Sequence, residues 1–343
     1  MTSNNGAPPD WRVYHGTGRA PQAPVRLPTQ PPWRRFNGDG TAECPTDDGG
    51  ESDRRLGAIA NRHRSAALRE VAMVNSMLYL GRPLLVTGRP GTGKSTLAYL
   101  VARELGLGPV LRWPIVSRTA LKDGQYLYDA IGRVQAAGSR TSPEPDIGDF
   151  LRLGPLGTAL LPYDRPRVLL IDELDKSDID LPNDLLNVFE DAEFEIPELV
   201  RLSRQQPEVT VLTHDRDGTA TVHNGRVKCR AFPVIIMTSN GEREFPPAFL
   251  RRCLQLHIEP PSFDQLGEMV AAQFGATEGI DIARLITSFL ERSRTHGGLA
   301  ADQLLNAVHM ATELATSGAY QTDDEWTDLL EAIWRPLSTE EMG

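Results

Sequence analysis

The sequence predicts an α/β fold built on a parallel sheet, followed by an all-α domain. Continuous apolar runs of strand length are typical of parallel strands buried on both faces, and they stand here at 83–87, 168–171 and 232–238. Further strands are predicted at 109–116 and 254–258. Helical patterns separate the strands, at 56–80, 96–104 and 182–190. From residue 262 onward the apolar residues recur only at helical spacing, which predicts helices over 263–274, 280–293, 301–316 and 323–334.

These patterns divide the 343 residues into three parts. Residues 1–55 are rich in Pro, Gly and polar residues without periodicity, which predicts a largely disordered arm. Residues 56–260 form the expected α/β domain, and residues 261–343 the helical domain with a C-terminal helix. Four aromatic side chains interrupt the composition of the arm: Trp11, Tyr14, Trp33 and Phe36. They leave two interpretations open, a solvated leader or a segment docked on the body, on a neighbouring subunit or on a partner.

A long polar stretch, residues 117–161, separates the second and third predicted strands. It carries one short helical pattern near 125–133. Its segment 138–145 combines Gly, Ser and Pro, which indicates a surface insertion.

Residues 208–230 break the α/β alternation with short β-branched runs. The dipeptides Asp217-Gly218 and Asn224-Gly225 separate these runs, and both are signals for two-residue hairpin turns. The sequence therefore predicts a β-meander inserted into the larger fold.

The sequence Gly-Arg-Pro-Gly-Thr-Gly-Lys-Ser at 88–95 stands between a predicted strand and a predicted helix. Its glycines allow successive backbone N–H groups to converge on a phosphate, and the helix that follows adds the positive end of its dipole. Lys94 supplies a charge for the β- and γ-phosphates, and Ser95 a hydroxyl for Mg²⁺. The alternative is an ordinary glycine-rich turn, but the strand before it and the helix after it favour nucleotide binding. The predicted contacts are Gly88, Arg89, Pro90, Gly91, Thr92, Gly93, Lys94, Ser95 and Thr96.

Two adjacent acids, Asp172 and Glu173, follow the apolar run 168–171. The carboxyl ends of parallel strands are where open α/β sheets bind ligands. Asp172 is predicted to hold Mg²⁺ and Glu173 to act as general base on the attacking water. A pair of solvated acids is the alternative interpretation. Asp175 and Lys176, just beyond, are predicted to be solvated.

Asn240 follows the strand 232–238, where its amide can orient a water molecule, although an ordinary Asx turn before Gly241 would explain it equally well. Arg251 and Arg252 precede the last predicted strand. A guanidinium there can stabilise transition-state charge at a neighbouring subunit, whereas paired surface arginines are usually only solvated.

The composition excludes several classes of protein. A net charge of −10 argues against a general nucleic-acid binder. The three cysteines, Cys44, Cys229 and Cys253, form no metal or disulfide spacing. The chain shows neither a basic-then-apolar leader after Met1 nor a membrane-length apolar run, so we expect it in the cytoplasm and away from membranes.

In order, the motifs GRPGTGKS, VLLIDE, TSN and FLRRC, followed by a helical domain, resemble those of the AAA+ ATPases. The β-meander before the strand that ends near Asn240 is similar to that of the MoxR-like branch. The resemblance covers about residues 56–318. It implies a three-layer αβα domain with strand order 5-1-4-3-2, which would bring Asn240 next to the phosphate-binding loop, and a helical lid domain.

The resemblance also assigns roles to residues. Lys94 and Ser95 match the Walker A pair, Asp172 and Glu173 the Walker B pair, Asn240 the first sensor, and Arg252 the arginine finger with Arg251 in reserve. The resemblance implies ATP and Mg²⁺ as cofactors. It further implies a ring of subunits, commonly six, that remodels or activates a protein partner, often one that is co-encoded.

One departure from the family pattern concerns the lid. Members often carry a second sensor arginine at the start of the third lid helix, where this chain reads Gly298 to Asn306 without arginine. Arg292 or Arg294 in the preceding helix are the candidate substitutes. The departure keeps a second function open, a nucleotide-gated scaffold or regulatory module with very slow turnover. A third, a DNA-directed motor, is disfavoured by the acidic charge.

Overall fold

The fold is described from a computed structural model, which places residues 10–57, 66–137, 146–275, 280–295, 298–317 and 324–335. The helices are α1 (Glu51–Leu56), α2 (Leu68–Leu80), α3 (Thr96–Leu105), α4 (Leu121–Gln125), α5 (Ala130–Ala137), α6 (Pro155–Ala159), α7 (Asp180–Asp191), α8 (Pro197–Val200), α9 (Pro247–Leu250), α10 (Phe263–Phe274), α11 (Ile282–Thr295), α12 (Ala301–Thr316) and α13 (Asp324–Ile333). The strands are β1 (Leu84–Thr87), β2 (Leu111–Pro114), β3 (Tyr126–Tyr128), β4 (Leu151–Leu153), β5 (Val168–Asp172), β6 (Glu193–Glu195), β7 (Glu208–Leu212), β8 (Thr219–His223), β9 (Arg226–Lys228), β10 (Val234–Ser239) and β11 (Leu254–His257).

The central sheet is parallel, with strand order β11-β1-β10-β5-β2. This confirms the predicted order 5-1-4-3-2. Its register pairs Thr87 with Ser239 and Pro114 with Asp172, which brings the carboxyl ends of four strands to one edge. All positions of β5 and β10 are buried, as expected for apolar runs covered on both faces.

Side chains alternate between the two faces of this sheet. Leu84 and Val86 of β1 join the core cluster that α2 and α3 complete, whereas Leu85 joins the cluster formed with α6, α7 and a second sheet. The result is the predicted three-layer αβα arrangement, in which the strand-end turns are presented by a core packed on both faces.

The second sheet has strand order β3-β4-β7-β8-β9-β6. It contains the predicted meander, and Asn224-Gly225 forms the predicted two-residue hairpin with φ values of 51° and 70°. Asp217-Gly218 was predicted to form another, but it lies in a longer loop, since Leu212 pairs with Thr219.

The stretch 117–161 is more structured than predicted. Besides the predicted helical portion, which is α5, it contributes β3 and β4 to the second sheet, the short helices α4 and α6, and a 3-10 helix at Ile147–Phe150. Strands of three residues are too short for alternation to show in the sequence, and their pairing with distant strands makes them visible only in the fold. The predicted insertion at 138–145 lies outside the described residues.

The N-terminal arm was predicted to be largely disordered, and in the described range 10–57 this is wrong. Tyr14 is fully buried, and its hydroxyl donates to Glu70 Oε1 at 2.9 Å. The side chain of Asn75 holds the backbone of Tyr14 on both sides, accepting from its N–H at 3.2 Å and donating to its carbonyl at 2.7 Å. Glu104 accepts from the His15 N–H at 2.6 Å. Side chains of α2 and α3 therefore make the hydrogen bonds to the backbone of the arm that regular secondary structure would otherwise provide.

The other aromatic residues of the arm divide between contact and exposure. Phe36 packs on Phe232 with ring centroids 5.9 Å apart, and Trp11 on Tyr79 at 5.7 Å. Trp33 is 76% exposed. Most of the aromatic side chains of the arm therefore pack on the rest of the protein.

Helices α10 to α13 lie close to the four helical ranges that the sequence predicts after residue 262. They pack around a separate hydrophobic core. Leu266, Phe289, Leu304 and Trp334 are among its buried side chains. Ser262 begins α10 with a capping box: its side chain accepts from the Gln265 N–H at 3.3 Å, and its N–H donates to that residue's side chain at 2.9 Å. Within the described ranges, no helix is long and apolar enough to cross a bilayer.

A buried ion pair ties the central sheet to the second one. Arg167, at the start of β5, is fully buried and makes two hydrogen bonds of 2.8 Å to Asp215 in the β7–β8 loop. It also donates to the Tyr163 hydroxyl at 3.2 Å and to the Pro109 carbonyl at 3.1 Å. Removal of the carboxylate would leave a buried guanidinium without its counter-ion.

We therefore expect Asp215→Ala to lower the free energy of unfolding by roughly 3–5 kcal/mol, because breaking one side of a buried pair leaves an uncompensated charge. Urea titration followed by circular dichroism measures the change. Arg216→Ala is the matched control, since its side chain is 97% exposed in the same loop. Equal urea midpoints for the two variants would contradict this role of the pair.

Candidate functional site

The loop 88–95 lies between β1 and α3, as predicted, at the carboxyl edge of the central sheet. Lys94 is buried, and its Nζ donates to the carbonyls of Gly88 at 2.9 Å and Arg89 at 2.8 Å, and to Asn240 Oδ1 at 2.8 Å. An ammonium group has three protons, so each has an internal acceptor. The loop thus holds its lysine folded inward.

The remaining loop residues line the exposed side of this turn. Arg89, Pro90 and Gly91 are exposed. The Thr92 hydroxyl donates to the Arg89 carbonyl at 2.9 Å, and the Thr96 N–H donates to the Gly93 carbonyl at 3.1 Å.

Lys94 sits in a cluster of opposite charges. Burial lowers its pKa, while the neighbouring carboxylates of Asp175, Asp172 and Glu173 act in the other direction. The net pKa lies below the ordinary lysine value. Three acids and one lysine therefore form a single electrostatic unit at this edge.

Asp172 is buried and fully hydrogen-bonded. Its Oδ1 accepts from the Ser95 hydroxyl at 2.6 Å and the Thr238 hydroxyl at 2.9 Å, and its Oδ2 accepts from Arg112 Nε at 3.1 Å and Nη2 at 2.8 Å. Burial would raise the pKa of Asp172, but the bonds from Ser95, Arg112 and Thr238 outweigh it and hold the pKa below its ordinary value. The carboxylate is ionised at neutral pH, and its four acceptor positions are in use.

The donor set fits Mg²⁺. This ion prefers hard oxygens and is usually bound by one or two carboxylates together with substrate phosphates. The Ser95 hydroxyl and the ionised Asp172 carboxylate lie 2.6 Å apart at the loop and would hold it. A magnesium ion held by these two residues would neutralise negative charge on the phosphates.

Glu173 occupies the turn immediately after β5. Its backbone is in the left-handed region, with φ of 63°, and its N–H donates to the Thr238 hydroxyl at 2.8 Å. Non-glycine residues adopt this conformation rarely, and mostly where the surroundings enforce it. The carboxylate pairs with Lys176 at 2.8 Å, and both side chains are partly exposed. Such a surface pair is weak and leaves the acid accessible.

Asn240 follows β10, which lies between β1 and β5. This placement brings its amide to the loop lysine, as the predicted strand order implied. Its backbone N–H donates to Asp175 Oδ2 at 2.8 Å. Asp175 is only 3% exposed, so the prediction that it is solvated is wrong. The sequence signals the place of Asp175 at the site only by its position three residues after Asp172. This spacing puts Asp175 in the turn that faces the end of the neighbouring strand.

Arg251 and Arg252 lie away from the loop of their own chain. Arg252 Nε donates to Glu190 Oε1 at 3.0 Å, and Arg251 Nε donates to the Pro247 carbonyl at 3.3 Å. Both side chains are exposed. In the described part of the chain, neither arginine hydrogen-bonds the loop, Asp172 or Asn240.

The helical domain touches the loop directly. The Ala301 N–H, at the start of α12, donates to the Gly91 carbonyl at 3.2 Å. Gly91 has φ of 73°, and a Cβ there would collide with Ala300. Glycine is therefore required at this position both for its backbone conformation and for the close approach of the lid.

The two candidate lid arginines are placed differently. Arg292 lies 3.5 Å from Glu331 in an ion pair within the helical domain. Arg294 is exposed at the end of α11.

A glycine turn between strand and helix, a buried lysine and a hydroxyl–carboxylate pair at the neighbouring strand end define a P-loop nucleotide-binding protein. Residues 84–262, slightly more than half of the chain, match the model of the ATPase family associated with various cellular activities (AAA). The chain belongs to this family.

No curated protein matches the sequence. Crystal structures of NtrX from Brucella abortus in complex with ATP and with ADP match with TM-scores of 0.40 and 0.39, both at 15% identity. The matches cover 77% and 76% of this chain, which spans 55% and 53% of the NtrX chains.

The pairing of Arg112 with Asp172 predicts a specific magnesium dependence. We expect Arg112→Met to lower the Mg²⁺ concentration that half-saturates tight ADP binding by about three- to tenfold, because a cation no longer occupies the carboxylate. Isothermal titration of ADP over a Mg²⁺ series measures it. Arg118→Met, which removes an exposed charge nearby, is the control. A higher half-saturating concentration in Arg112→Met would mean that the guanidinium orients the carboxylate instead of competing for it.

Proposed function

We propose that the chain is a MoxR-like AAA+ ATPase that hydrolyses ATP with Mg²⁺ in a ring of subunits, commonly six, and thereby remodels or activates a protein partner. The observation that carries the catalytic part is a pair of hydrogen bonds at the sheet edge, which join the consecutive residues Lys94 and Ser95 to Asn240 and Asp172, respectively. These groups arise from three neighbouring strand ends, so their convergence follows from the sheet order.

In the proposed reaction, water attacks the γ-phosphate, the bond between the γ-phosphorus and the oxygen shared with the β-phosphate breaks, and ADP leaves. Lys94 binds the β- and γ-phosphates, Ser95 and Asp172 hold Mg²⁺, and Glu173 accepts a proton from the attacking water. Asn240 orients that water or the γ-phosphate. Catalysis depends on positioning and on charge stabilisation, because phosphoryl transfer needs little covalent participation from the protein.

The MoxR-like assignment is supported by the chain that runs between β5 and β10. This segment carries the antiparallel hairpin β7–β8, which joins the second sheet rather than the central one. The sheet projects a surface that the nucleotide site does not use, and with the N-terminal arm it is our candidate for the contact with a protein partner.

The proposed ring is supported by the position of Arg252. It lies outside its own site and is exposed, with a surface pair to Glu190 and a hydrogen bond of 3.3 Å to the Ala248 carbonyl. A guanidinium that completes the site of a neighbouring subunit must be available at the protein surface, and Arg252 meets this requirement. Arg251 meets it too and stays the reserve.

A nucleotide-gated scaffold with very slow turnover is the second candidate function. It is favoured by the segment 298–306, which contacts the loop through Ala300 and Ala301 without offering an arginine. In such a module, ATP would set assembly while hydrolysis would reset it slowly.

Steady-state hydrolysis of ATP by the wild type and Glu173→Gln separates the two functions. We expect the variant to reduce kcat by at least about 10²-fold with ATP affinity changed less than about threefold, because the amide cannot accept the proton. Glu244→Gln, an exposed acid nearby, is the control and should match wild type. Wild-type turnover no faster than that of Glu173→Gln would exclude the motor and favour the scaffold.

Mixing of variants tests the contribution of a neighbouring subunit. Arg252→Ala and Lys94→Ala should each lack activity, the former by about 10³-fold or more, and their mixture should recover part of it in rings shown to be mixed. Glu190→Gln is the control, since it removes the partner of Arg252 but keeps the guanidinium. If mixtures that contain Arg252→Ala do not recover activity whereas mixtures that contain Arg251→Ala do, Arg251 is the arginine that acts at the neighbouring subunit.

A further inference from the structure

Asp175 connects the two turns that carry Glu173 and Asn240. It lies in the short turn Leu174–Lys176 that follows Glu173. Its Oδ2 accepts from the backbone N–H of Asn240 at 2.8 Å and from that of Glu242 at 3.1 Å. One carboxylate oxygen thus holds the turn beyond β10 at two points.

This carboxylate is costly to bury, which argues that it is more than a surface cap. Asp175 is 3% exposed, and its Oδ1 is buried without a hydrogen-bond partner among the described residues. A buried oxygen without a partner lowers stability, so such groups usually persist where they serve a purpose. Lys94 and Lys176 both interact electrostatically with Asp175, and among the acids around Lys94 the influence of Asp175 is the largest.

Next to the turn that Asp175 holds, the Arg243 side chain donates to the Ser177 carbonyl at 2.5 Å, but this bond lies beyond Asn240 and Glu242. Gly241 has φ of 82° and donates to the Ser239 hydroxyl at 3.0 Å, and residues 241–244 are exposed. The position of the Asn240 side chain depends on its backbone, which Asp175 fixes. The amide oxygen then reaches Lys94, the residue that binds the phosphates in the proposed function.

We propose that Asp175 is a positioning residue that holds the turn 239–242 so that the Asn240 amide points to the place of the γ-phosphate. This proposal rests on the proposed function. Asp175 also links the turn that carries Glu173 to the turn that carries Asn240, so that both turns respond to the γ-phosphate. Asp175 acts through Asn240 and does not touch the nucleotide.

The first measurement is the preference for a triphosphate over a diphosphate, given as the ratio of the Kd for ADP to the Kd for AMP-PNP, a non-hydrolysable ATP analogue, with Mg²⁺. This ratio reports contacts to the γ-phosphate and needs no turnover. We expect Asp175→Ala and Asn240→Ala each to lower this ratio by about five- to tenfold, because each variant loses the proposed hydrogen bond between the Asn240 amide and the charged γ-phosphate.

A conservative variant separates the effect of the accepting oxygen of Asp175 from the effect of its charge. Asp175→Asn keeps an oxygen for the two N–H groups and removes the charge, so we expect a ratio within about twofold of wild type. Asp178→Ala, an exposed acid in the same segment, is the control for loss of charge. If Asp175→Ala does not fold, Asp175→Glu replaces it, since the longer side chain displaces the accepting oxygen. Equal losses in Asp175→Asn and Asp175→Ala would overturn the positioning role.

A double-mutant cycle tests whether Asp175 acts through Asn240. The double variant should lose no more preference than Asn240→Ala alone, because the two changes remove one interaction. Additive losses would overturn the proposal. Hydrogen exchange of the peptide covering 239–243 supplies an independent readout: its amides should exchange faster in Asp175→Ala than in wild type, and unchanged exchange would also overturn it. Wild-type protein that prefers AMP-PNP but does not hydrolyse ATP would refute the proposed motor and leave this test intact.

Discussion

The buried carboxylate of Asp172 is the constraint on which the site depends. A charge at the end of an entirely buried strand must be satisfied by hydrogen bonds, since its desolvation is otherwise prohibitive. The donors come from the loop (Ser95), from the adjacent strand β10 (Thr238) and from the strand on the other side (Arg112). Three neighbouring segments are thereby fixed relative to one another. The same bonds that stabilise the fold place the groups of the nucleotide site.

The hydrogen bonds that the site makes within the protein affect how tightly it can bind a nucleotide. Lys94 and Asp172 have their bonding capacity filled by protein groups, so a nucleotide and its ion must exchange existing hydrogen bonds for new ones. Exchange contributes much less free energy than formation of a bond from an unpaired group. The site is therefore stable without a ligand, and its affinity depends on the difference between internal and phosphate bonds. Displacement of Lys94 would also free the Asn240 amide, at the end of β10, from its hydrogen bond to the lysine.

The sequence predicts the local parts of this arrangement and misses the parts that depend on distant contacts. The loop 88–95 and the helices after 262 were predicted because glycine spacing and 3.6-residue periodicity are local properties. Tyr14 was not placed, because its burial depends on Asn75 and on Glu70, more than fifty residues away. Asp175 was predicted to be solvated because acids usually are, and only the backbone of the adjacent strand end explains its burial.

The lid contact shows how coupling to the nucleotide site can exist without a charged reporter. An arginine senses phosphate through charge, whereas Ala300 meets Gly91 by steric contact and Ala301 adds a backbone hydrogen bond to the same residue. Packed atoms transmit displacement because interiors have little free volume. A change in the backbone of the loop at Gly91 therefore requires a matching movement of the first turn of α12. This close approach needs small side chains at the two positions that meet Gly91, and both of them, Ala300 and Ala301, are alanines.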